Sequence, residues 1–239
     1  MYHPTQRETG MTQRNTIDGT RTSATGEPAV DIRIVLFTVA NGALRLAAVN
    51  HSAPLQLPRG FPTPDASLDA DAARIIQRQL GIQERYLEQL YTLNTRDPHQ
   101  WTVVISYMAL VSSDETGEPS TLGAWHDVDD IRADDSIDGR VIDYAIVRLR
   151  AKLSYTSIAF HLLPLQFTLG ELQQTYEAVL QKRLDKRNFR RRIRGANILD
   201  QTPAKRRDGS HRPANLYQFR PPHDQEQFLT PSWVEGSTT

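Results

Sequence analysis

The chain contains no cysteine. That absence removes disulfides, thiolate metal sites such as zinc ribbons, and thiol nucleophiles from consideration. Long apolar runs are also missing: the longest, Trp101 to Val111, is half the ~20 residues a bilayer span needs and is interrupted by Thr102, Ser106 and Tyr107. No membrane partner is expected. Residues 1–27 are rich in Thr, with Gln, Asn, Gly and Arg, and hold neither apolar periodicity nor the h-region of ~7–15 residues of a secretory signal. They read as a disordered tail in which Met11 would serve as a start as well as Met1. After Arg220, Pro221, Pro222 and Pro231 interrupt polar sequence, and residues 223–239 read as a closing tail. A cytoplasmic location is expected.

Net charge is absent as well, 28 Lys+Arg balancing 28 Asp+Glu over 239 residues. The balance is not uniform. From Ile146 to Arg220 there are 16 basic and 5 acidic residues, net +11, leaving the remainder at −11. Such an asymmetry is the footprint of a part that meets polyanions joined to a part with another task. The length suits two modest domains, and the 38% apolar content is low for one large core yet too high for wholesale disorder.

Ordered sequence begins near Asp31, where Ile32, Ile34, Leu36 and Thr38 alternate with Arg33, Val35, Phe37 and Val39. Asn41-Gly42 then leads into Ala43 to Val49, so a type I′ hairpin is predicted. Ser67 caps a helix with Asp69 and Asp71 in its first turns, running through Ala72, Ile75, Ile76 and Leu80 to Gly81. Tyr86 to Leu93 and Trp101 to Val111 read as strands. From about Ile142 the stripe Ile142, Ala145, Ile146, Leu149 and Leu153 is helical. Thr168 to Glu171 forms a capping box ahead of a second C-terminal helix, and Asp185, with Leu184 and Phe189 as a hydrophobic staple, starts a third whose Phe189, Ile193 and Ala196 face inward. Pro203 to Pro213 reads as a basic loop between short strands at Ile198-Leu199 and Leu216 to Phe219. Mixed strands around a helix indicate an α/β (α+β) sandwich. Three helices and a hairpin describe a winged helix-turn-helix.

The run Gly60 to Ile82 resembles the Nudix hydrolase box, G-x5-E-x7-R-E-U-x-E-E-x-G-U. Gly60, Arg74, Ile76, Gly81 and Ile82 stand at the family spacing, after Leu57 to Phe61 in the place of L-P-G-G-F. The four glutamates are replaced by Ala66, Ile75, Arg78 and Gln79. In the family those carboxylates gather the Mg²⁺ that polarises a diphosphate. Their loss, and the fixed cation of Arg78, predict no metal site, no catalytic residue and no hydrolase activity. Such a body can still hold a nucleotide diphosphate. The ligand-binding candidates are Arg59, Gly60, Arg74, Arg96 and Trp101, with Tyr107 on the Trp101 strand face; Arg74 has a structural role as its alternative.

The third C-terminal helix displays Lys186, Arg187, Asn188, Arg190, Arg191 and Arg194 outside its Phe189/Ile193 seam, a face suited to the major groove of double-stranded DNA. Lys205, Arg206, Arg207 and Arg212 on the wing, and the capped helix entry at Thr168, are further candidates for phosphate contacts. The order of these parts, with the runs Arg148 to Leu153, Asp185 to Arg192 and Arg212 to Tyr217, resembles the Nudix-related transcriptional regulators of NAD metabolism, the NrtR family. That resemblance implies residues 28–152 as a Nudix-like effector domain and 153–222 as the winged helix domain. It also implies a homodimer on a pseudo-palindromic operator, repression of NAD synthesis or salvage genes, and release by ADP-ribose as effector, with no cofactor. An active ADP-ribose pyrophosphatase and a pentose-responsive regulator of the same architecture are the alternatives.

Overall fold

The structure is a computed structural model that describes residues 28–51, 54–96, 101–116, 123–131, 135–154, 156–207 and 213–220. Strand β1 (Ala29–Ala40) turns at Asn41 and Gly42, both at positive φ, into β2 (Ala43–Ala48), which is the predicted type I′ hairpin. A two-residue strand β3 (Arg59–Gly60) precedes helix α1 (Leu68–Leu80); β4 (Tyr86–Arg96), β5 (Trp101–Leu110) and β6 (Ala124–Asp127) follow. They form one mixed sheet in the order β4-β5-β1-β2-β6. The length of β1 makes this possible: one edge pairs in parallel with β5, while the other pairs with β2 over Leu36–Ala40 and with β3 at Ile32 and Arg33. Between Gln89 and Thr92 the β4 register shifts, and the Ser106 hydroxyl stitches the irregularity by donating to the Tyr91 carbonyl at 2.7 Å.

Alternation along the strands divides two apolar layers. Ile32, Ile34, Leu36 and Tyr107 meet Ala72, Ile75, Ile76 and Leu80 of α1. On the opposite face Val35, Phe37, Leu46, Val104 and Met108 lie under helix α2 (Ile137–Leu153), whose Val141, Ile142, Ala145, Leu149 and Leu153 are buried. This helix starts five residues before the apolar stripe suggests, because Ser136 caps it by accepting the Gly139 amide at 3.0 Å. The same apolar layer runs on without a break through a 3-10 turn (Ile158–Leu162), Phe167 and helix α3 (Leu169–Leu180) to Phe189 and Ile193 of helix α4 (Lys186–Gly195). Strands β7 (Leu199–Arg206) and β8 (Ala214–Phe219) close the chain as a hairpin, to which Phe167 adds a bridge at Tyr217. The expected C-terminal winged helix is thus present, sharing its core with the sheet.

Polar side chains lock these layers together. Arg33, almost fully buried, donates to Asp31 at 3.0 Å and to Asp138 at the start of α2, and the second Asp138 oxygen accepts the Leu57 amide at 3.2 Å. Burial pushes the Asp31 carboxyl above the ordinary aspartate range, against the pull of Arg33. On β4, Glu88 accepts from Arg148 at 2.6 Å and from Lys152 and Tyr86; burial alone would raise its carboxyl, but these donors hold it below the usual range. Arg150 of α2 reaches the Val179 carbonyl at 2.9 Å and the Gln181 side chain, closing the end of α3. Arg85 pairs with Glu115 and donates to the Leu163 carbonyl at 2.7 Å. Among the described residues no helix is long and apolar enough to cross a membrane.

Replacing Asp138 by Ala would leave Arg33 short of one counter-charge and the Leu57 amide without its acceptor. Breaking one partner from a buried ion pair costs about 3–5 kcal/mol. The Asp138→Ala variant is therefore expected to lose that much unfolding free energy, seen in urea denaturation as a lower midpoint at unchanged slope.

Candidate functional site

The degenerate box forms around α1. Ser67 accepts the Ala70 amide at 3.2 Å, and Gly81 ends the helix in the left-handed region. Gly60 lies so close to the helix that a Cβ there would stand 2.9 Å from Ile75 Cδ1, so this glycine is required by close approach to a buried isoleucine. Gln79 fixes the neighbouring backbone in both directions: its amide accepts from Arg59 N at 3.0 Å and donates to Arg59 O at 2.8 Å. Asp71, fully buried, accepts the Thr63 amide at 2.7 Å, the Thr63 hydroxyl at 2.9 Å, and Arg74. The hydrogen bond from Arg74, then those from Thr63, hold the Asp71 carboxyl below its ordinary range despite burial.

These contacts revise several expectations. Arg74 braces the loop through Asp71, so the structural alternative describes it better than a place in a ligand pocket. Trp101 and Tyr107 share a strand face, yet only Trp101 is exposed, at 45%. Helix α1 covers Tyr107, whose hydroxyl donates to Asp69 at 2.7 Å, and burial with that carboxylate beside it raises the phenol well above its usual range. Arg59 is exposed, and its positive charge adds to that of Arg33 in opposing the rise that burial imposes on the Asp31 carboxyl. Gly60 pairs with Ile32, which is in register with Ile105, so Trp101 lies four residues further along β5, roughly 13 Å at strand spacing. The Arg96 backbone pairs with Trp101, and its side chain falls outside the described residues. A cleft of about 790 Å³ opens elsewhere, between the β1–β2 turn and α3, and is lined by none of these candidates.

The second site is built on α4. Asp185 accepts the Asn188 amide at 2.8 Å, Leu184 packs as the staple, and Phe189 meets Tyr176 of α3 edge to face. Only Phe189 and Ile193 are buried; Ala196, expected to face inward, is exposed because it is the C-cap. Lys186, Arg187, Asn188, Arg191, Arg192 and Arg194 are exposed. Arg190 is half-buried, with its Nε shielded and unpaired among the described residues. Arg191 donates to the Asn188 side chain at 3.0 Å, which presents the two as one donor group. No acidic residue lies between Lys186 and Gly195, so the helix repels itself and is held by its cap and staple.

The wing differs from the expected loop, since β7 carries Lys205 and Arg206 in register with Asn215 and Ala214. Lys205 and Arg207 are exposed; Arg212 lies outside the described residues. Arg206 turns back to pair with Glu171 and donates to the Gln166 carbonyl at 3.1 Å. Thr168 is likewise engaged: its hydroxyl accepts the Glu171 amide at 3.1 Å while its own amide donates to the Glu171 carboxylate at 2.7 Å. That carboxylate already neutralises the helix terminus, and through it Thr168 and Arg206 secure the wing against α3. Arg220, which the sequence does not single out, closes the other end by donating to Asn197 at 2.6 Å and pairing with Asp200 at 3.1 Å.

A family model described as the NrtR DNA-binding winged helix domain matches residues 159–219. Over 206 residues the chain is 32% identical to the ADPR responsive transcriptional repressor NtrR of Acinetobacter baylyi, covering 80% of this chain and 82% of that protein. It resembles the structure of Shewanella oneidensis NrtR complexed with a 27mer DNA with a TM-score of 0.70 and 28% identity, over 85% of this chain and 95% of the other. A MutT/nudix family protein from Enterococcus faecalis, 19% identical with a TM-score of 0.60 over 82% of this chain and 90% of its own, shares the fold.

The division between bracing and free cations has a measurable consequence. Arg206→Ala removes a charge-assisted contact at the α3 cap and is expected to lower stability by about 1.5–3 kcal/mol. Arg187→Ala and Lys205→Ala, at exposed positions, should stay within about 0.5 kcal/mol of the parent. Thermal melts of the three variants give the comparison.

Proposed function

The chain belongs to the NrtR family of Nudix-related transcriptional regulators, and on that premise we propose that it is a repressor that binds double-stranded DNA through α4 and the wing. Its Nudix-like body, residues 28–152, senses ADP-ribose or a related nucleotide; residues 153–222 read the operator. The observation that carries this reading is the cationic outer face of α4. Lys186, Arg187, Asn188, Arg190 and Arg191 occupy the part of a recognition helix that reaches base edges, and Arg194 lies further on, toward the phosphate backbone. Lys205 and Arg207 extend the positive surface along the wing, with Arg212 as a further phosphate contact. Two such modules related by two-fold symmetry suit a pseudo-palindromic site, so the working unit is a homodimer.

Arg59, Gly60, Arg96 and Trp101 are proposed to line the effector pocket, with Arg74 supporting its loop. ADP-ribose then releases DNA by favouring a DNA-incompetent arrangement of the two reading heads; a tenfold effect needs about 1.4 kcal/mol of differential affinity. The regulated genes are those of NAD synthesis or salvage, and the protein acts in the cytoplasm. With Ala66, Ile75, Arg78 and Gln79 in the glutamate positions, it is no pyrophosphatase.

The test uses full-length protein and a duplex that it selects from random sequence. Arg187→Ala or Arg190→Ala is expected to weaken binding by about 1–3 kcal/mol where a base contact is lost, and ADP-ribose to release the parent complex. Unchanged affinity in both variants would refute the assignment of α4. Incubation with ADP-ribose and Mg²⁺ is expected to yield no AMP, and sustained release of AMP would make the protein an enzyme.

A further inference from the structure

The outer face of α4 offers nucleic acid almost nothing but donors. Lys186, Arg187, Arg190, Arg191 and Arg194 carry N–H groups and no acceptor, and no Asp or Glu occurs between Lys186 and Gly195. The carboxylate at the helix entry, that of Asp185, is engaged by the Asn188 backbone amide at 2.8 Å. The remaining acceptor among these side chains is the Asn188 amide oxygen, and Arg191 donates to it at 3.0 Å. Both residues are exposed and stand three apart, so they share one face of the helix.

In the major groove an unencumbered asparagine pairs with adenine: its oxygen accepts from the N6 amino group while its N–H donates to N7. With a guanidinium at that oxygen, the adenine amino group, itself a donor, would meet further N–H donors instead of a free acceptor. Guanine presents two acceptors on the same edge, O6 and N7, which the remaining N–H groups of Asn188 and Arg191 satisfy together. Thymine offers one acceptor oxygen and cytosine a donor, so neither matches as well. Asn188 is the third residue of α4, in the N-terminal part from which helix-turn-helix readers reach base edges.

We propose that Arg191 sets the base specificity of Asn188: the two read guanine as one donor unit, and Asn188 is kept from adenine. This inference rests on the DNA-reading role proposed above for α4 and deepens it by naming the base that the helix takes at this point. Arg191 is then more than a cation for the phosphate backbone, since it fixes which way the Asn188 amide is used.

Selection from duplexes of random sequence by the full-length parent, Asn188→Ala and Arg191→Ala tests it. The base pair met by Asn188 is the one whose preference relaxes in Asn188→Ala. There the parent is expected to favour guanine over adenine by at least about tenfold. Arg191→Ala frees the Asn188 oxygen and is expected to move that same position toward adenine while preferences elsewhere in the site persist. Thermal melts matching that of the parent would show both variants folded. A base other than guanine favoured by the parent, an Asn188→Ala selection identical to the parent's, or an Arg191→Ala variant that keeps guanine or loses it without gaining adenine would overturn the pairing and leave DNA reading by α4 standing. A parent that selects no sequence at all would overturn both.

Discussion

Arg33 is the group on which the rest of the molecule depends. A guanidinium with so little access to water must have counter-charges on two sides, and it takes one from its own strand and one from the first turn of α2. The second of these, Asp138, also holds the Leu57 amide, so a single buried charge ties the first turn of α2 to the segment leading to β3. Arg33 is moreover the residue of β1 paired with Arg59. The strand at the start of the box loop and the helix that leads to the winged helix are therefore placed by the same cluster. The negative side chain at the start of α2 is in addition favourably placed against the helix dipole.

Helix α2 is the element that both halves share. Its first turn touches the Leu57 segment through Asp138; its last turns hold β4 through Glu88 and end α3 through Arg150. Coupling between distant sites requires an element with two arrangements whose balance each site can bias. A helix buried in one apolar layer with α3 and α4, and pinned by ion pairs at both ends, moves as a unit or not at all. Arg85 adds a second tie between the sheet and the entry to the winged helix by holding the Leu163 carbonyl.

Features set by near neighbours in the chain were legible in the sequence. The Asn41-Gly42 turn, the Ser67 and Gly81 ends of α1, the Thr168 capping box and the Asp185 cap with its staple all depend on spacings of one to five residues. The partners of long side chains were not. Nothing in the neighbourhood of Arg206 announces Glu171, 35 residues away, and nothing near Arg33 announces Asp138, 105 residues away. Pro203 made its surroundings look like a loop, yet β7 accommodates it inside the register shift between Gln201 and Lys205, where no ladder hydrogen bond is needed. Alternation placed Trp101 and Tyr107 on one face correctly, but only the docked helix decides which of the two is covered. Gln79 was visible as a missing carboxylate. That its amide is a two-way backbone latch emerges only once β3 lies beside α1.

The seating of Ile75 against Gly60 limits what this position can become. Restoring a glutamate at that position alone would push an ionised group into hydrocarbon, and restoring one at Gln79 alone would aim a carboxylate at the Arg59 carbonyl. Each single substitution is uphill, so carboxylates could enter both positions only through concerted change. The packing thus acts as a ratchet against a lone carboxylate at either of these two positions.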